Sequence, residues 1–124
     1  MKVVQTNSAP AAIGPYSQGI ISGNLVFVAG QTPLDPASGQ IVGASVIEQT
    51  EQVCKNIIAI LEAAGSSAEK VVKTTCFLAD MNDFAAFNGI YAKYFPGRPA
   101  RSTFAVKQLP KNALVEIEAI AEIS

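Results

Sequence analysis

Histidine is absent from this chain of 124 residues. That removes the commonest general base and the commonest zinc ligand, so any chemistry falls to Glu, Asp, Tyr, Lys, Cys or bound water. Cysteine is scarce. Cys54 and Cys76 stand far apart, each inside an apolar run, which argues against a closely spaced metal or redox motif and for two buried free thiols in a reducing compartment. Charge is thin as well: charged residues make up 15% of the chain against 49% hydrophobic, which leaves little polar material to cover a monomer and favours a homo-oligomer. Nine basic residues against ten acidic give a net charge of -1, with no electrostatic footprint for a phosphate backbone or an anionic membrane, so nucleic acid is disfavoured as a partner. No apolar run approaches membrane-spanning length, and Met1 to Asn7 lacks a stretch of signal-peptide type. A cytoplasmic protein without membrane association is expected. At this length the chain makes one domain, residues 1–124, able to bury roughly two-thirds of its unfolded surface without disulfides or a structural metal.

What is present alternates strand and helix patterns. Met1 to Gln5 predicts a short strand, and the Pro- and Gly-rich segment from Ser8 to Gly19 an ordered loop that holds Tyr16 directly after Pro15. Ile20-Ile21, the turn Ser22-Gly23-Asn24 and Leu25 to Ala29 predict a hairpin, with Gly30 at the strand end where another group can approach the backbone closely. From Val46 to Ala64 the residues Val46, Ile47, Thr50, Val53, Cys54, Ile57, Ile58 and Leu61 form a helical stripe, closed by Gly65. Val71 to Leu78 is rich in β-branched residues and predicts a strand. A second helix is predicted over Asp83 to Phe95, with Asp80 and Asn82 as cap candidates; Phe84, Phe87, Tyr91 and Tyr94 form its stripe, and Asn88 lies at the edge of that stripe.

The stretch Arg98-Pro99-Ala100-Arg101-Ser102-Thr103-Phe104 places arginines without an acidic neighbour at the start of a strand. Pro99 biases Arg98 toward extended geometry. Alternation puts Ser102, Phe104 and Val106 on one face and Arg101, Thr103 and Ala105 on the other; the face with Phe104 is taken as the core face. The last strand alternates Val115, Ile117, Ala119, Ala121 and Ile123 against Glu116, Glu118, Ile120 and Glu122. On this reading Arg101 and Glu116 both point away from the helices, either as neighbours in one chain or meeting across a subunit boundary. The order of elements predicts an α+β fold, a mixed sheet with two helices on one face, whose other face would pack against further copies in a closed ring.

Ala9-Pro10-Ala11-Ala12-Ile13-Gly14-Pro15-Tyr16-Ser17-Gln18, Ala29-Gly30-Gln31, Val72-Lys73-Thr74-Thr75, Met81-Asn82-Asp83-Phe84, Pro99-Ala100-Arg101-Ser102 and Val115-Glu116-Ile117-Glu118-Ala119-Ile120-Ala121, in this order and spacing, resemble the RidA-type reactive intermediate deaminase family, also known as the YjgF or L-PSP endoribonuclease-like family. The resemblance covers essentially the whole chain. It implies a chorismate-mutase-like fold, a homotrimer with clefts between subunits, no metal or organic cofactor, and hydrolysis of 2-imino acids to 2-keto acids and ammonia. The substrates so implied are 2-iminobutanoate and 2-iminopropanoate, released by pyridoxal-phosphate enzymes such as threonine dehydratase. By the same resemblance Arg101 binds the substrate carboxylate, Glu116 activates water, and Tyr16, Gly30 and Asn88 line the cleft.

Elementary chemistry agrees. A C=N bond flanked by a carboxylate needs a cation to orient the acid, and a guanidinium grips both oxygens. The attacking water needs a base, which in a chain without histidine is naturally a carboxylate. Glu118, two residues on and on the same strand face, is the runner-up for that role. Thr103 stands beside Arg101 where many RidA-type members carry cysteine; if that position serves substrate through its backbone N–H, threonine keeps the contact. Phe95-Pro96-Gly97-Arg98 is a short loop for the family, which would alter the cleft mouth. The alternatives are an RNA-cleaving or translation-inhibiting protein and a non-catalytic acid-binding or holdase-like module.

Overall fold

A computed structural model of the chain describes residues 1–123. Strands β1 (Lys2–Val4), β2 (Gly19–Ser22) and β3 (Leu25–Gln31) precede helix α1 (Val46–Ala63). Strand β4 (Val71–Leu78), helix α2 (Phe84–Tyr94), β5 (Ala100–Ala105) and β6 (Val115–Glu122) follow, with one-turn 3-10 helices at Ala68–Lys70, Met81–Asp83 and Pro110–Asn112. The six strands form one sheet in the order β1-β2-β3-β6-β4-β5. All neighbours are antiparallel except β4 and β5, which run parallel because α2 crosses over between them. This is the mixed α+β architecture expected. Among the described residues no helix is long and apolar enough to cross a membrane.

Local chemistry sets the ends of the elements. The β2–β3 hairpin closes through Gly23 and Asn24, with Gly23 at φ 61, the left-handed geometry that such two-residue turns demand. A reciprocal capping box starts α1: Ser45 Oγ accepts from Glu48 N at 3.2 Å, while the Glu48 carboxylate accepts from Ser45 N. Gly65, at φ 82, ends it. Asp80 caps the Met81–Asp83 turn by accepting from Asn82 N at 2.9 Å, so α2 begins one residue later than its pattern suggested.

One face of the sheet and both helices enclose the core. Val26 and Val28 of β3, Cys76 and Leu78 of β4, and Val115, Ile117, Ala119 and Ala121 of β6 pack against Val53, Cys54, Ile57, Ile60 and Leu61 of α1 and against Phe87 and Tyr91 of α2. Phe87, Ile57, Ile60 and Leu61 are fully buried, each contributing about 1.5–3 kcal/mol of transfer free energy. The stripe on α1 departs from expectation at Ile47, which is exposed, and at the buried Gln49 and Asn56. Those two amides brace loops. Asn56 donates to the carbonyls of Thr32 and Leu34 at 3.1 and 3.0 Å, and Gln49 donates to Gly43 O and accepts from Leu114 N.

Two expectations about the segment 98–106 are overturned. Arg101 and Thr103 stand beside Thr74 and Cys76 of β4, and Thr74 and Cys76 are core residues. Neighbours in register share a face of the sheet. Arg101 and Thr103 therefore face the helices, while Ser102 and Phe104 face away; Phe104 is 44% exposed and meets Phe77 edge-on at 5.4 Å. β5 is an edge strand with no buried residue, so its apolar side chains do not report which face is core. Arg98 is not extended either. It lies at φ 54, because the bond from Arg98 N to Phe95 O closes a turn between α2 and β5, and that closure outweighs the extended preference set by Pro99.

Candidate active site

Arg101 is built into the aromatic face of α2. Its guanidinium carbon lies 4.8 Å from the ring centre of Tyr91, 5.5 Å from Phe84 and 5.9 Å from Phe87, and Nη1 donates to Asn88 Oδ1 at 2.7 Å. Ring faces attract a cation without neutralising it, and the amide oxygen carries no net charge. Arg101 is thus held by neutral partners that carry no opposing charge. Tyr91 is fixed in turn: its hydroxyl and Thr74 Oγ1 are 2.6 Å apart in the core, and Cys76 Sγ donates to the same threonine oxygen at 3.9 Å. Burial raises the pKa of the Tyr91 phenol, with the Thr74 bond and Arg101 opposing it. Burial also holds the Cys76 thiol up at about 11, so it stays protonated at neutral pH. Thr103 stands next to Arg101 on this face, its Oγ1 buried and without a hydrogen-bond partner among the described residues. Asn88, Tyr91, Arg98 and Arg101 line a cleft of about 860 Å³.

Glu116 occupies the opposite face of the sheet, where Glu118 and Ile120 follow it on β6. It is half-buried, and desolvation raises its carboxyl pKa, with the charge of Glu118 adding to the effect. Gly30 makes room for it. A Cβ at residue 30 would collide with the Glu116 carboxylate, which lies over the backbone where the β3–β6 register shifts between Val28 and Gln31. Tyr16 lies in the loop before β2, 53% exposed, with its N–H donating to Gly14 O at 2.9 Å. That loop hangs on Gln18, a buried residue whose Nε2 donates to the carbonyls of Thr6, Ala9 and Pro10 and whose Oε1 accepts from Thr6 N. Tyr16, Gly30, Lys111, Glu116 and Glu118 line one cleft of about 700 Å³.

The expected site residues thus fall into two groups. Arg101, Asn88 and Thr103 gather on the helix face, and Tyr16, Gly30 and Glu116 on the other. Within one chain Arg101 and Glu116 are not brought together, and the expectation that they share a face is corrected. Gln18, Thr74 and Tyr91 support the two groups without having been singled out as site residues. An isolated glutamine carries no local signal, and Thr74 shows its partner only once β4 and α2 are packed.

The chain matches the family model described as endoribonuclease L-PSP over residues 6–123. It is 56% identical over 124 residues to a Lactococcus lactis protein described as a regulator, AldR, covering 99% of this chain and 98% of that one. A mouse protein named 2-iminobutanoate/2-iminopropanoate deaminase is 52% identical over 121 residues, covering 97% of this chain and 90% of its own. Among solved structures, E. coli TdcF with bound serine superimposes at a TM-score of 0.95 with 43% identity, covering 100% of both chains. Matched along nearly its whole length by sequence and by fold, the chain belongs to the endoribonuclease L-PSP family, which is also the YjgF/RidA family.

Proposed function

We propose that this protein hydrolyses small 2-imino acids, 2-iminobutanoate and 2-iminopropanoate among them, to 2-keto acids and ammonia, removing reactive products of pyridoxal-phosphate-dependent dehydratases. One observation carries the reading: a cation walled by neutral groups and a carboxylate with a raised pKa stand on opposite faces of one sheet. Each is half of an imine hydrolase, and a second copy completes the other half. The apolar part of the open face, with Ile20, Phe27 and Ile120 around a concavity of about 470 Å³, supports burial between copies. A closed homotrimer satisfies every such face at once.

In that cleft Arg101 of one copy takes both oxygens of the substrate carboxylate and so aims the neighbouring imine carbon. Glu116 of the next copy accepts a proton from water as the water oxygen bonds to that carbon and the C=N electron pair moves onto nitrogen. Returning that proton to nitrogen gives a carbinolamine; moving its hydroxyl proton to nitrogen through the same carboxylate then lets the C–N bond break, so that ammonia leaves as the carbonyl forms. A carboxylate with a raised pKa suits both transfers. Tyr16 and Asn88 edge the site, and Thr103 offers its backbone N–H. Neither metal nor organic cofactor enters these steps. The name of the mouse relative and the serine held by E. coli TdcF, a small acid with nitrogen beside its carboxylate, support this substrate class. The buried thiols of Cys54 and Cys76 accord with work in the cytoplasm.

The family's endoribonuclease description motivates a second reading, RNA cleavage. The net charge of -1 and the absence of histidine weigh against it. A coupled assay separates the two. Wild-type protein is expected to accelerate keto-acid release from enzymatically generated 2-iminobutanoate, Arg101→Ala to abolish the acceleration without altering assembly, and neither protein to degrade RNA. Release at the uncatalysed rate sinks the deaminase reading.

A further inference from the structure

The cleft around Arg101 contains a second arginine that the reaction just described does not use. Arg98 lines it together with Asn88, Tyr91 and Arg101, while Ala92, Phe95, Pro96 and Pro99 supply apolar wall. The two arginines lie three positions apart in the chain, so their Cα atoms are no more than about 11 Å apart, and two long side chains can close on one small ligand. Arg98 is exposed and sits at φ 54, a geometry that glycine adopts without strain and a bulky residue does not. The turn that imposes this geometry is anchored: Arg98 N donates to Phe95 O at 3.3 Å, and a Cβ at Gly97 would come within 3.3 Å of the Glu69 carbonyl oxygen. Pro99 then stiffens the step into β5. Among the described residues the partners of Arg101 are neutral, so no carboxylate among them stands between its charge and that of Arg98. Two guanidinium groups in one apolar-walled cleft repel each other until anionic groups come between them.

We infer that this cleft takes acids with two anionic groups, Arg101 holding the carboxylate beside the imine and Arg98 the carboxylate at the far end, so that 2-imino dicarboxylic acids are substrates. The inference rests on the carboxylate-clamp reading of Arg101 and adds the distal contact. It assigns Arg98 to specificity rather than to catalysis, since the bond that breaks lies beside the first carboxylate.

The test compares wild type with Arg98→Gly, which suits the left-handed backbone, and Arg98→Gln, which keeps much of the bulk. Each is assayed on 2-iminobutanoate and on 2-iminosuccinate, and calorimetry measures binding of 2-oxobutanoate and 2-oxoglutarate. Both variants are expected to lose tenfold or more in kcat/KM on 2-iminosuccinate, and a similar factor in 2-oxoglutarate affinity, while remaining within twofold of wild type on the monocarboxylic pair. Equal losses on both substrates, or variants unchanged toward the dicarboxylic acids, overturn the assignment and leave the monocarboxylic deaminase intact. A wild type that hydrolyses neither imine yet binds 2-oxoglutarate in an Arg98-dependent way removes the deaminase reading and keeps the two-anion cleft. Absence of both activities and of any preference for 2-oxoglutarate overturns both.

Discussion

The Glu116 carboxylate fills the space that a side chain would take at Gly30, with its Cδ 3.0 Å from the point where a Cβ would stand. Gly30→Ala therefore expels the carboxylate from its place over the bulge. The expected result is a loss of about 10²-fold or more in kcat, within the range general bases contribute, in a protein whose circular dichroism is that of wild type. Activity within twofold of wild type would show that the carboxylate need not rest there.

Glu116 and Glu118 separate by pH. Glu116→Gln should lower kcat by about 10²–10⁴-fold at every pH. Glu118→Gln should leave the maximal rate nearly unchanged but remove the negative charge that helps to raise the Glu116 pKa. A base with a lower pKa stays ionised to lower pH, so the acidic limb of the pH–rate profile should move down. A limb that stays in place, or one that moves up, rules out this coupling.

Thr74 and Tyr91 act on Arg101 from behind. Thr74→Val deletes the partner of the Tyr91 hydroxyl, and Tyr91→Leu removes the nearest ring beneath the guanidinium. With cation–π contacts worth about 0.5–2 kcal/mol, KM should rise by roughly two- to thirtyfold with little change in kcat, more for Tyr91→Leu. Thr74→Ser should restore wild-type KM. A drop in kcat alone would show that these residues do not work through the clamp.

Because Arg101 and Glu116 lie on opposite faces, subunits that lack one or the other should complement. Arg101→Ala and Glu116→Gln proteins, each nearly inactive alone, are unfolded, mixed in equal amounts and refolded together. In a ring whose clefts draw one residue from each neighbour, about a quarter of the clefts regain both, and the recovered rate should approach that fraction of wild type. No recovery would place the working pair elsewhere.

Much of this was legible along the chain, where each signal was local. The repeats of α1 and the β-branched run of β4 placed those elements to within a residue, and Gly30 stood out as a point of close approach. β5 was misread because its phase is set by pairing with Thr74 and Cys76 and by the aromatic cradle of α2, neither of which shows in the alternation of an edge strand. Arg98 was misread because a turn closed by Phe95 outweighed a dipeptide preference. Asn56 reaches the carbonyl of Thr32 and Gln49 accepts from the N–H of Leu114, both far away in sequence, while Gln18 ties together the loop before it, and such partners exist only after folding.

The place of β6 also bears on how the molecule comes to be made. The strand that is last in chain order lies between β3 and β4, so the β1–β2–β3 meander and the β4–α2–β5 unit form from local contacts but meet as one sheet only when β6 inserts between them. Pairings of such long sequence separation form late and slowly. During vectorial synthesis two half-sheets with open edges must wait for residues 115–122, and those residues bring Glu116. The Glu116 carboxylate thus arrives with the strand that closes the sheet, in the same step as the fold is completed.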